Sequence, residues 1–311
     1  MGKLAFVFPG QGAQYQGMGK EFYDNYEECR EVFEKASQVT GLDLAKLCFE
    51  EPEKINITEY TQIAMLTVSA AILRILNREG VKSDVNAGLS LGEYGALLAS
   101  GVMSEEDAFD IVRKRGIYMQ EAVPEGGAMA AVLGLDNETI RTVCEETEGI
   151  VSVANYNCPG QTVITGEAKS VAEAGEALKA KGARRVLPLK VSGPFHSKML
   201  TGAGEKLGLA LEKVTLSDPE TPYITNVTAE YVTSKEQVKE LLTAQVSSSV
   251  LWQQSVERMI ADGVDTFVEI GPGKTLCGFL RKIDRNVKGV GIEKIEELNK
   301  TIELLKEEPT C

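Results

Sequence analysis

A single histidine and a single tryptophan stand among 311 residues. With one imidazole the chain has no means of building a multi-histidine metal site. Any histidine-dependent chemistry must use His196. The six cysteines are Cys29, Cys48, Cys144, Cys158, Cys277 and Cys311, and they form no C-x-x-C pair and no zinc-like spacing with that histidine. Free thiols in a reducing cytoplasm are the expectation, with no metal and no cofactor. Basic side chains are also scarce: 33 Lys and Arg face 46 Asp and Glu, a net charge of −13. That balance disfavours nucleic acids and anionic membranes, whose binding needs phosphate neutralised by Lys and Arg. It leaves room for a local basic patch that meets an acidic partner. No stretch approaches the ~20 apolar residues of a membrane span. The first apolar run, Leu4–Phe8, is too short for a secretory signal, and Phe6 stands where myristoylation requires Ser or Thr. A cytoplasmic protein is predicted.

What is present is ordinary for a globular chain: 43% hydrophobic and 25% charged residues. The length suffices for a large domain with a smaller one. Leu4–Phe8, closed by Pro9-Gly10, predicts a buried and parallel first strand. Thr61–Glu79 predicts a helix stopped by Gly80. Val85–Leu89 predicts a strand, Glu93–Ser100 a helix, and Ser104-Glu-Glu-Asp107 the capped start of another helix to about Gln120. From Pro124 the texture changes to strand 128–135, helix 136–148, strands 150–156 and 161–165 joined by a turn, helix 170–181 and strand 185–191. This β-α-β-β-α-β order is the ferredoxin-like pattern. Residues 126–192 are therefore predicted to be a small domain inserted into a large α/β domain made of 1–125 and 193–311, with a mainly parallel sheet. Further helices are predicted at 198–213, 236–244, 251–262 and 293–307, with strands at 223–226 and 266–270.

Two glycine-rich stretches invite a nucleotide reading, and both fail. Gly10-Gln-Gly12-Ala-Gln-Tyr15 lacks the third glycine of a dinucleotide fingerprint, and Met18 stands where a Walker lysine belongs. In the stretch ending Gly273-Lys274-Thr275, Val268 stands where a P-loop needs its first glycine. What remains is backbone able to approach a ligand closely.

Gly88-Leu-Ser90-Leu-Gly92 fits G-x-S-x-G, with an apolar strand before it and a helix after it. That is the setting of a nucleophile turn, where backbone N–H groups can meet an oxyanion. If Ser90 is a nucleophile with a histidine base, the base is His196, in a loop behind Ser192-Gly-Pro194. A carboxylate or a backbone carbonyl could orient that imidazole, and the pattern of residues does not choose between them. Arg115 shares a helix face with Ile111, Val112, Tyr118 and Met119, so it points inward with the apolar stripe and wants an anion.

Six ordered motifs, from Phe8-Pro-Gly-Gln-Gly-Ala-Gln14 through Gly88-Leu-Ser-Leu-Gly-Glu-Tyr94, Arg115-Gly116, Asn155-Tyr-Asn-x-Pro-Gly-Gln161, Gly193-Pro-Phe-His-Ser197 and Glu269-Ile-Gly-Pro-Gly-Lys274, resemble the malonyl-CoA:acyl carrier protein transacylases of bacterial type II fatty acid synthesis. The resemblance spans about residues 3–292 and implies an α/β-hydrolase-like large domain with a ferredoxin-like insert. It implies malonyl-CoA as donor and holo acyl carrier protein as acceptor. Residue by residue, it implies Ser90 as nucleophile, His196 as base and the backbone N–H groups of Gln11 and Leu91 as oxyanion donors. It further implies the Gln245 main-chain carbonyl as the group orienting the histidine, Arg115 as partner of the malonyl carboxylate, and Phe195 as a residue suited to malonyl rather than bulkier extenders. Two positions depart from the family: Leu89 where histidine is common, and Ser249 where proline is common. A serine thioesterase or hydrolase would use the same pair. A discrete acyltransferase serving polyketide synthesis would share every motif, and a noncatalytic nucleotide-binding protein is weakened by the broken glycine spacings.

Overall fold

A computed structural model describes residues 2–307. Among these residues ten strands form two sheets. The first sheet holds β1 (Lys3–Phe8), β2 (Val85–Gly88), β7 (Tyr223–Ile224), β8 (Tyr231–Val232), β9 (Val264–Ile270) and β10 (Lys288–Ile292), in the order β10-β9-β1-β2-β7-β8. All its neighbours run parallel except the β7–β8 pair. The reason is visible in β1. Leu4, Phe6 and Phe8 join one core cluster, and Ala5 and Val7 join another. With side chains alternating across the sheet, a strand apolar on both faces must be covered on both, and helices do so.

On one side lies the helix Thr58–Arg78, whose middle is buried all round, packed on the helix Glu105–Glu121. On the other lie helices Trp252–Ala261 and Thr275–Ile283, whose Trp252, Val256, Leu276 and Leu280 fill the second cluster.

The second sheet holds β3 (Gly127–Leu133), β4 (Val151–Cys158), β5 (Gln161–Glu167) and β6 (Arg185–Pro188), antiparallel throughout, in the order β4-β5-β3-β6. Helices Asn137–Glu146 and Ala168–Ala180 cover one face, enclosing Val132, Ile140, Ile164, Val171 and Leu178. From the other face Met129 and Val163 join the core cluster of the first sheet. The two sheets are stitched at β4: Val250 N–H donates to the Ala154 carbonyl at 2.7 Å and Tyr156 N–H to the Val250 carbonyl at 3.0 Å. Ser249 uses its hydroxyl for the same seam, donating to the Val153 carbonyl at 2.5 Å.

Ser104 and Asp136 cap their helices as their sequences predict, accepting from the N–H groups of Asp107 and Thr139. Other boundaries move. The predicted helix 198–213 is a 3-10 turn, Lys198–Leu200, followed by the helix Thr201–Leu211. β6 ends at Pro188, not at 191, with one further bond to β3 beyond it, from the Leu189 N–H to the Met129 carbonyl at 2.9 Å. Helices Leu44–Glu50 and Thr275–Ile283 and strands β8 and β10 were not anticipated. Met1 and residues 308–311 lie outside the described residues, and with them Cys311. The other five cysteines are unpaired and buried. Among the described residues no helix is long and apolar enough to cross a membrane.

Candidate active site

At the carboxyl end of β2 the chain turns sharply. Gly88 ends the strand, Ser90 takes φ 54°, and the helix Glu93–Ala99 begins three residues on. A left-handed conformation costs a non-glycine residue roughly 1–2 kcal/mol. The glycines on either side are obligatory. A Cβ on Gly88 would overlap the Gly92 carbonyl, and one on Gly92 would overlap the Phe8 carbonyl. The helix can thus sit directly against β1 and β2, and the serine is left at the turn's crest.

His196 also has positive φ, 60°, and is 4% exposed. Its Nε2 lies 2.8 Å from Ser90 Oγ and its Nδ1 2.9 Å from the Gln245 carbonyl oxygen. A carbonyl only accepts, so Nδ1 carries the proton and Nε2 accepts from the serine hydroxyl. In the structure a main-chain carbonyl, not a carboxylate, faces Nδ1. Burial first, and then the Arg115 guanidinium, push the imidazole down to about 4, so it is neutral and basic-ready at pH 7.

Arg115 is 1% exposed. It does point inward, as its helix face predicts, yet the oxygens it meets are uncharged: Gln62 Oε1 at 2.7 Å, Gln245 Oε1 at 3.0 Å and Ser90 Oγ at 3.2 Å. Its ring neighbour is Tyr94, 5.6 Å away. The nearby carboxylate, Glu93, spends Oε2 on the Asn226 N–H at 3.1 Å and the Gln245 Nε2 at 2.6 Å. Burial pushes Glu93 up to about 7. A buried guanidinium held by neutral acceptors, with one of them on the serine itself, is poised for an incoming anion.

Gln11, Leu91, Phe195, Gln62, Met119 and Leu89 line the same cleft of about 370 Å³ as Ser90 and His196. The cleft runs between the two sheets, with Met129, Ala131 and Val163 of the antiparallel sheet as its far wall. Leu89 is packed beside Gly10, where an added Cβ would meet Leu89 Cδ2 at 2.9 Å. An apolar residue thus stands beside the serine turn.

The sequence reading missed Gln62, Asn226 and Glu93. Gln62 had a signal, an amide inside the apolar run of a buried helix. Asn226 had none, lying two residues beyond a two-residue strand. The failed glycine-rich stretch has its explanation. The Glu269 carboxylate accepts from the N–H groups of Leu276 and Cys277, at 3.0 and 2.8 Å, and fills the helix terminus where a phosphate would sit. Among the described residues no group of three or more His, Cys, Asp or Glu is placed to hold a metal ion. Lys190, just past the end of β6, lines the cleft, while Arg185 stands opposite Leu133 at the start of that strand.

The model of the acyl transferase domain family matches residues 5–295. The malonyl CoA-acyl carrier protein transacylase of Bacillus subtilis is 45% identical over 313 residues, covering 99% of each chain. Its namesake in Escherichia coli K12 is 45% identical over 91% of this chain and 93% of that one. The crystal structure of the Clostridium perfringens transacylase superposes with a TM-score of 0.94 at 48% identity, covering 98% of both chains. The structure of a type II PKS acyl-carrier protein in complex with its malonyl-transacylase matches at TM-score 0.94, 40% identity and 97% of this chain. The serine, imidazole and guanidinium thus sit on a backbone shared along almost its whole length, and the chain belongs to the acyl transferase domain family, among the malonyl CoA-acyl carrier protein transacylases.

Proposed function

We propose that this chain moves a malonyl group from malonyl-CoA to the phosphopantetheine thiol of acyl carrier protein through a malonyl ester on Ser90. The observation that carries it is the convergence of an imidazole and a guanidinium on one hydroxyl oxygen. Ser90 Oγ lies 2.8 Å from His196 Nε2 and 3.2 Å from the Arg115 guanidinium. The first contact serves any acyl-serine chemistry, and the second fits an acyl group that ends in a carboxylate.

The steps follow. Ser90 Oγ attacks the thioester carbonyl carbon while its proton passes to His196 Nε2. The carbonyl oxygen becomes an oxyanion, met by the backbone N–H groups of Gln11 and Leu91, each worth roughly 3 kcal/mol in the transition state. The C–S bond breaks, and the departing CoA sulfur takes the proton from the imidazolium. The carrier thiol then gives its proton to His196 Nε2 and its sulfur attacks the malonyl ester. Ser90 Oγ leaves with that proton. The Gln245 carbonyl keeps the imidazole in the tautomer that each half-reaction requires. Arg115 pairs with the free carboxylate, and Phe195 closes the pocket beside it. Exchange between two thiols is nearly balanced, so the parts supply a relay and not a driving force.

The fold fits the finer description too. The β3–β6 unit with its two helices has the strand order of a ferredoxin-like insert, 126–192, within an α/β-hydrolase-like domain of 1–125 and 193–311. The net charge of −13 and the buried free thiols favour a cytoplasmic protein that binds neither nucleic acid nor membrane. The test is intact mass spectrometry after malonyl-CoA or acetyl-CoA. Wild type gains one malonyl group and little acetyl, and Ser90→Ala gains neither. Fast release of free malonate without carrier protein would replace transfer by hydrolysis.

A further inference from the structure

We propose that Asn226 is a positioning residue for the serine turn, its carboxamide standing in for a missing strand and holding Ser90 in its left-handed conformation. The argument starts from register. β7 runs parallel to β2, with Ile224 beside Ala87, and ends there after two residues. β2 continues to Gly88 and then bends into the turn, so the Gly88 carbonyl and the Ser90 N–H have no strand backbone beside them. Asn226 supplies both partners from one side chain. Its Oδ1 accepts from the Ser90 N–H at 2.6 Å, and its Nδ2 donates to the Gly88 carbonyl at 2.6 Å. An N–H only donates and a carbonyl only accepts, so the orientation of the amide is fixed.

Asn226 is fully buried and held in turn on both backbone groups. Its N–H donates to Glu93 Oε2 at 3.1 Å, and its carbonyl accepts from the Leu251 N–H at 2.9 Å. Its loop closes on itself through Ala229 N–H to the Thr225 carbonyl, 3.1 Å, with Ala229 at φ 55°. Gln245 completes the clamp, donating from Nε2 to the Ser90 carbonyl at 3.0 Å. Strain of this kind persists where the surroundings over-determine it. Here the surroundings include one amide, that of Asn226, that must accept at one end and donate at the other. Aspartate cannot donate and would set a carboxylate against the Gly88 carbonyl. Leucine can do neither.

The proposal rests on Ser90 being the acylated residue, and the experiment separates the two. Pre-steady-state formation of malonyl-Ser90 is measured for wild type, Asn226→Ala and Asn226→Asp, with KM for malonyl-CoA and Tm. Acylation should slow about 100-fold in Asn226→Ala, the scale for a reacting group displaced by about 1 Å. KM should stay within about threefold, since Arg115 and Gln62 are untouched. Folded Asn226→Ala that acylates at the wild-type rate overturns the proposal. Labelling that persists in Ser90→Ala overturns the nucleophile instead. A stability cycle needs no activity at all. Asn226→Ala should lower Tm less in a Ser90→Gly background, where glycine accepts positive φ freely, than in Ser90→Ala. Equal losses in the two backgrounds would show that the amide does not hold the turn's conformation.

Discussion

The two sheets of this protein turn their corners by different means. In the antiparallel unit every left-handed residue is a glycine: Gly126, Gly134, Gly149, Gly160, Gly166 and Gly182. Around the parallel sheet three non-glycine residues adopt that conformation, Ser90, His196 and Ala229. Two of these are the proposed reacting pair, and the third closes the loop that carries Asn226. The contrast extends to charge. Glu93, Arg115, His196 and Glu269 are buried beside the parallel sheet, whereas the buried polar residues of the antiparallel unit are uncharged, such as Asn155, Thr162 and Ser170. One unit relaxes its backbone with glycine and keeps its charges in water. The other holds strain and buried charge in a network of side-chain amides. Chemistry lies on the second and the far wall of the cleft on the first.

If that division is right, the largest effects should follow from the buried network. Arg115→Ala should lower kcat/KM for malonyl-CoA by about 10²–10⁴, since an unpartnered buried carboxylate costs roughly 3–5 kcal/mol. Acetyl transfer should fall far less, and equal losses for the two acyl groups would remove the carboxylate role.

An intermediate effect should appear in the pH dependence of stability. Burial raises Glu93 from 4.5 to about 7, so across that window the folded chain holds a proton that the unfolded chain releases. Stability from this group is present at low pH and is lost as pH rises through 7. His196 works the other way. Its value falls from 6.5 to about 4, so stability is lost as pH falls through that window. The two slopes oppose in wild type. Glu93→Gln leaves only the histidine slope, so in urea titrations the variant should gain on wild type by about 3 kcal/mol between pH 4.5 and 7.5. A constant difference across that range would mean that Glu93 is ionised throughout.

The smallest effect belongs to the exposed rim of the antiparallel unit. Reversing Arg184 and Arg185 to Glu should raise KM for carrier protein roughly fivefold, the ~1 kcal/mol scale of exposed pairs, with KM for malonyl-CoA unchanged. No change in either constant would leave the rim as solvated charge.

Ser90, His196 and Arg115 were legible from residue type and spacing, because a hydroxyl on a G-x-S-x-G turn, a lone imidazole and a cation on an apolar stripe each break a local pattern. Gln11, Leu91 and Gln245 were legible only through family resemblance. They are assigned through N–H or C=O groups, which every residue carries, so side-chain type gives no hint. Asn226 and Glu93 were hidden because their significance is a matter of register between β2 and β7, and a two-residue strand has no periodicity to detect. The helix Thr275–Ile283 was obscured by glycines that resemble a phosphate loop, until Glu269 is seen occupying its amino end.

His196 is the sole imidazole of the chain, and it sits between a serine hydroxyl and a carbonyl. The molecule is therefore its own spectroscopic reporter. Every histidine ring resonance in an NMR spectrum arises from the proposed reaction centre, without assignment or selective labelling. The proton proposed to shuttle between serine and thiol can be followed in the unmodified protein, through apo, malonylated and carrier-bound states alike.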